Sequence, residues 1–145
     1  MLRNENVYYR NRRSSCRIIS PARILWYVTR GKHLLTSKQI RACSYLDEVI
    51  IGRAKDLFRQ FKRLGIYEWR DVLRTADDDP RNHIMALRFS NTEILRRPIN
   101  LSTLNQTLQQ EEGKKPLLQS PQSIRPSTFA CIYRMASRVD GGDQC

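Results

Sequence analysis

Between Ile84 and Pro98 the chain reads IMALRFSNTEILRRP, an apolar run that passes into alternating apolar and polar side chains from Leu87 to Ser90. That is the period of a strand with one buried face, and the Arg-Arg-Pro that closes it ends the ladder, because proline offers no N–H. A strand of this length cannot stand alone, since its backbone groups need partners on both sides. Two upstream runs can supply them. In RILWYVT, Arg23 to Thr29, both faces are apolar, which predicts a central strand. In CSYLDEVIIG, Cys43 to Gly52, the Asp47-Glu48 pair interrupts an apolar run, as a turn or bulge does.

From Arg53 to Leu64 the period changes to that of a helix. Leu57, Phe58, Phe61 and Leu64 form an apolar stripe, Lys55, Arg59, Lys62 and Arg63 share the other face, and Gly65 is placed as a C-terminal cap. Ile66 to Ala76 and His83 to Leu95 flank the turn-forming TADDDPRN, which predicts a long antiparallel hairpin. Leu101, Leu104 and Leu108 predict a helix capped by Asn100 or Ser102. After a polar linker with three prolines, a last helix starts at Ser127 and buries Phe129, Ile132 and Tyr133. The expected organisation is a basic N-terminal arm over 1–20, one domain over 21–136 and a disordered tail over 137–145. The arm is expected to be extended, its arginines facing phosphates and its tyrosines packing or stacking.

Charge narrows the function classes. The formal net charge is +12 over 145 residues, and residues 1 to 41 hold ten Lys or Arg against the single acid Glu5. A one-signed field of that density attracts polyanions, nucleic acid first among them. No apolar run approaches the roughly 20 residues of a membrane span, and Met1 to Ser20 lacks the apolar segment of a secretory signal, so a cytoplasmic protein without membrane contact is expected. Cys16, Cys43, Cys131 and Cys145 form no close pair, and His33 and His83 stand apart. Thiols rather than a metal site are therefore expected, and no cofactor. The run Asp77-Asp78-Asp79 lacks the alternate spacing, the Gly and the terminal Glu of a calcium loop.

No nucleophile elbow, zinc-helix, phosphate-loop or dinucleotide motif is present. A cleft that takes a base needs an aromatic platform, a donor and acceptor for the base edge, and cations for the flanking phosphates. The sequence offers Trp26 and Tyr27 as platform, Ser44, Thr92 and Glu93 as edge readers, and Arg70, Arg96 and Arg97 as cations. Arg17, Arg23 and Lys55 would add sequence-independent phosphate affinity.

The ordered strings RILWYVT, ACSYLDEVIIG, LFRQFKRLGIYEWRDVL, IMALRFSNTEILRRP and PLLQSPQSIRPSTFACIY resemble the PUA-like module of the ASCH and EVE superfamily. They are most similar to the version found C-terminal to a GNAT acetyltransferase domain in bacterial proteins, and the resemblance covers about residues 17 to 136. It implies an α+β fold, a small mixed or antiparallel pseudo-barrel of five or six strands with flanking helices. Its cleft is associated in the superfamily with RNA or with modified bases. The acetyl-CoA loop of the GNAT domain is absent, so acetyltransferase activity is not carried over. The primary expectation is a non-catalytic reader of RNA or of DNA with a modified base. Two others stand beside it. One is an amidohydrolase of modified nucleosides, for which Lys32 or Lys38, Thr36 and Glu93 are the available residues. The other is an interaction module partnered with an acetyltransferase.

Overall fold

The computed structural model of the protein describes residues 5–13, 17–29, 38–65 and 67–138. Its elements are β1 (Glu5–Arg10), β2 (Ala22–Val28), β3 (Gln39–Arg53), α1 (Ala54–Phe61), α2 (Trp69–Thr75), β4 (His83–Asn100), α3 (Leu101–Glu112) and α4 (Pro126–Ser137). The strands make one four-stranded sheet in the order β1-β4-β3-β2. β4 is interior, as the pattern at 84–98 requires, but Arg96-Arg97-Pro98 does not end it: the strand runs on to Asn100. It pairs antiparallel with β1, Val7 lying opposite Arg88 and Tyr9 opposite Ala86. Side-chain contacts from Ser44 to Thr92 and from Glu48 to Arg88 run in opposite senses along β3 and β4, so that pair is antiparallel too. Among the described residues the sheet is open, with β1 and β2 at its edges.

The chain divides into two compact units, Met1–Ile24 with Ser44–Thr92, and Leu25–Cys43 with Glu93–Cys145. In the first, Val7 and Tyr9 of β1 and Ile84 and Ala86 of β4 close on Ala54, Leu57 and Phe61 of α1 and on Val72 of α2. In the second, Ile40, Cys43, Leu95 and Ile99 close on Leu104 and Leu108 of α3 and on Ile132 and Ala136 of α4. The buried positions of β4 are Ile84, Ala86, Leu87 and Ser90 in the first unit and Leu95 and Ile99 in the second. The inward parity thus changes from mostly even to odd. Between the two sets Asn91 adopts a left-handed φ of 52°.

Several expectations are corrected. Residues 5–10 are not an arm but β1, since burying Val7 and Tyr9 against α1 removes their apolar surface from water. β2 is an edge strand rather than a central one; its side chains from Ile24 to Val28 are only half-buried on either face. β3 runs unbroken through Asp47-Glu48, because Glu48 projects outward to pair with Arg88 at 3.2 Å. The stretch 66–76 is no hairpin arm. Trp69, Val72 and Ala76 recur at helical spacing, and the Glu68 N–H donates to Asp71 Oδ2 at 3.1 Å, starting α2. Gly65 does not cap α1, whose C-cap is Lys62; an added Cβ at Gly65 would come within 2.8 Å of Val7 Cγ1, so the position needs the absence of a side chain. Cys43 is a buried thiol, whereas Cys131 is disulfide-bonded. Asn100 does cap α3, its Oδ1 accepting the Thr103 N–H at 2.8 Å. The tail expected over 137–145 lies, from 139 onward, outside the described residues.

Two tyrosines of the first unit set its alkaline limit. Tyr9 and Tyr67 meet edge to face at 5.3 Å, and burial pushes both phenols up from 10.0 to about 12. The folded values lie above the unfolded ones, so this contribution is complete below pH 10 and disappears as pH rises through about 12. A cooperative alkaline transition is expected in that window, followed by tyrosinate absorbance and circular dichroism. The Tyr9 hydroxyl has no hydrogen-bond partner among the described residues. Tyr9→Phe should therefore raise the unfolding free energy at neutral pH by about 1 kcal/mol and move the alkaline midpoint upward. A less stable variant would show that the hydroxyl has a partner.

Candidate functional site

The second unit carries a surface groove on α4. Pro126 opens α4, and Thr128, Cys131, Ile132 and Ala136 form its buried side. Its start is tied to the end of α3: the Arg125 N–H donates to Glu112 Oε2 at 3.2 Å, and Lys114 pairs with the same carboxylate at 3.2 Å. Burial alone would raise the Glu112 carboxyl, but these donors hold it below its ordinary value.

With α4 anchored in this way, its outer side presents a shallow groove lined by Phe129, Ala130, Tyr133, Arg134, Ser137 and Arg138. The four-residue spacing of Phe129 and Tyr133 puts the rings on one face, stacked at 6.0 Å with 19° between their planes. Glu93, on β4, lies at the tip of the Tyr133 ring. The Tyr133 hydroxyl donates to its carboxylate, 2.9 Å from Oε2 and 3.1 Å from Oε1. The Cys43 thiol lies 3.8 Å from Oε2. Because the carboxylate holds the phenol proton, Tyr133 is pushed above the ordinary tyrosine range. The groove thus combines a flat aromatic surface with two arginines, and one of its rings is tied by its hydroxyl to Glu93.

The first unit holds other residues singled out in the sequence. Ser44 is fully buried and shares a hydrogen bond of 2.7 Å with the exposed Thr92. The Arg23 guanidinium lies 4.0 Å from the centre of the Tyr45 ring, a cation–π contact on an exposed face. Lys55, Arg59 and Lys62 form an exposed basic stripe along α1, opposite the buried Leu57 and Phe61. Arg17 is exposed, and Arg70 on α2 pairs with Glu68 at 2.9 Å.

The anticipated residues divide between the two units. In the first, Ser44 meets Thr92 and Arg23 meets Tyr45, while Lys55 and Arg70 stand on α1 and α2 and Arg17 precedes β2. In the second unit Tyr27 packs against the core and Trp26 is half-buried, while Arg96 and Arg97 are exposed on β4. The ring that meets Glu93 is that of Tyr133, stacked with Phe129, two residues whose pattern in the sequence predicts core positions. The available signal was two aromatics four residues apart, beside Arg134 and Arg138, also four apart. Lys32 and Thr36 lie outside the described residues, and Lys38 is exposed with a left-handed φ of 56°. Among the described residues no group of three His, Cys, Asp or Glu side chains could hold a metal. In the acidic turn Asp77 pairs with Arg13, and Asp79 accepts the Arg81 N–H at 2.9 Å.

The fold matches solved structures of an ASCH protein from Zymomonas mobilis. The parent structure aligns with a TM-score of 0.70 at 21% identity, covering 94% of this chain and 86% of that one. A variant of it with one tyrosine changed to phenylalanine aligns at 0.71 and 18%, covering 92% and 86%. A second variant, with a serine changed to alanine, aligns at 0.70 and 19%, covering 92% and 84%. The chain has the α+β fold of an ASCH domain, a PUA-like architecture. No family model matches the sequence, and no curated protein is significantly similar to it.

Proposed function

We propose that this ASCH-fold protein binds single-stranded nucleic acid, RNA foremost, through the groove on α4. The observation that carries this reading is the Phe129–Tyr133 stack in a groove that Arg134 and Arg138 also line. A half-exposed pair of parallel rings offers a surface on which an unpaired base stacks, and adjacent guanidiniums suit the phosphates on either side of it. The net charge of +12 and the exposed stripe Lys55, Arg59 and Lys62 fit the same partner, supplying affinity that does not depend on sequence.

Fluorescence anisotropy with labelled single-stranded and duplex RNA of equal length, across a salt series, tests the proposal. Both ligands should lose affinity as salt rises, with the single strand about tenfold tighter at every concentration, because paired bases cannot reach the rings. Equal affinities throughout would reduce the interaction to charge alone and overturn the groove as the binding site.

A further inference from the structure

On the first unit, α1 and α2 bring an aromatic pair beside a run of cations. Phe58 of α1 and Trp69, the first residue of α2, meet at 5.4 Å with 48° between their rings. Both pack against the core but are only half-buried, so part of each ring stays in water. Lys55 lies three residues before Phe58 and Lys62 four after it, which puts one cation a helical turn to either side of the ring, and Arg59 adjoins them on the exposed face. Among the described residues no carboxylate engages any of the three. The acids of this stretch are held elsewhere: Asp56 Oδ2 accepts from Arg53 at 2.7 Å, Glu68 Oε2 pairs with Arg70 at 2.9 Å, and Asp71 Oδ2 accepts the Glu68 N–H at 3.1 Å. A solvated face ordinarily interleaves both signs, whereas Lys55, Arg59 and Lys62 stand together with rings at their border.

From this arrangement, and resting on the reading of the protein as a binder of single-stranded nucleic acid but not on the α4 groove, we infer that this face is a second contact for the strand. A base stacks on the exposed part of Trp69, and Lys55, Arg59 and Lys62 take the phosphates that flank it. Seven residues of helix set Lys55 and Lys62 about 10 Å apart along the axis, so a base seated over the rings has a cation on each side. The tilt between the rings lets a base lie parallel to only one of them, and the indole offers the larger face. Every base has a π-face, and an ammonium on a flexible stem acts as a point charge, so this contact adds affinity without reading sequence.

The test follows tryptophan emission and fluorescence anisotropy of the full chain with an oligouridylate. The chain has two tryptophans, Trp26 and Trp69. Saturation with the unlabelled strand should quench the emission of the unaltered protein. Trp69→Phe keeps a ring against the core, and its emission, now from Trp26 alone, should not change although the strand still binds. Trp69→Leu should weaken binding about tenfold, the loss of one stacked base. Lys55→Gln, Arg59→Gln and Lys62→Gln together leave the core untouched and should flatten the slope of log affinity against log salt by about 2, since each single-strand phosphate contact contributes about 0.7. Quenching that persists in Trp69→Phe, or is missing from unaltered protein that binds by anisotropy, would overturn the stacking contact and leave the α4 groove standing. An unchanged slope in the triple variant would overturn the assignment of phosphates to α1. Phe129→Leu binding as the parent does, with Trp69 still quenched, would remove the groove and support this contact. No binding by either measure would remove both.

Discussion

Replacing Ile84 by alanine is expected to lower the unfolding free energy by about 3 kcal/mol, within the roughly 2–5 kcal/mol typical of such truncations. Ile84 is 1% exposed and sits where β4 meets the first unit's core of Val7, Tyr9, Leu57, Phe61 and Val72. Cutting it back removes apolar area and leaves a cavity that neighbours on a strand and two helices cannot collapse to fill. The same change at Ile94, on the same strand but 70% exposed, should stay within about 0.5 kcal/mol. Urea titration of the two variants makes the comparison, with the slope of the transition unchanged. Similar losses at both positions would mean that the inward faces of β4 are wrongly assigned.

The second large effect is on binding. Phe129→Leu retains an apolar side chain against the Leu104 and Leu108 core but removes the flat ring that stacks on Tyr133. Stacking of a base on an aromatic ring contributes about 1–3 kcal/mol, so affinity for single-stranded RNA should fall about tenfold, with the melting temperature changed little. Duplex RNA should bind the variant as it binds the parent. If the groove binds nucleic acid as proposed, Arg134→Glu should weaken every ligand and reduce the dependence of affinity on salt, because it removes a cation from the phosphate side of the site. A Phe129→Leu variant that bound single strands normally would move the site away from α4.

What the sequence disclosed follows from which signals were periodic. β4, α1 and α3 were legible because Ile84 to Ser90, Leu57 to Phe61 and Leu101 to Leu108 each hold an apolar pattern long enough to name it. α2 was misread. Trp69, Val72 and Ala76 have helical spacing, but the segment has seven residues and β-friendly Ile66, Tyr67 and Trp69 at its start. β1 escaped notice because only two of its six side chains, Val7 and Tyr9, are buried, and arginines surround them. Of the residues around the α4 groove, Glu93 was singled out in the sequence, whereas Phe129 and Tyr133 were expected in the core. Aromatics at helical spacing are ordinarily core residues, and Phe129 and Tyr133 do touch the core with one edge while lining the groove with the other. Only tertiary packing decides which edge is wet.

β3 passes into α1 between Arg53 and Ala54, and β4 into α3 between Asn100 and Leu101, with no residue between strand and helix at either place. Each junction therefore sets the rotational phase of the helix that follows. A single inserted residue would turn that helix by about 100°. After Arg53 it would swing Leu57 and Phe61 off the core and carry Lys55 and Arg59 toward it; after Asn100 it would do the same to Leu104 and Leu108. The stretch 113–125 carries no such constraint, being held by isolated contacts such as Gln122 to the backbone of Lys115 and Leu117. Across chains that share this fold, insertions and deletions should collect there. The two strand–helix junctions should keep their residue count even where every side chain around them has changed.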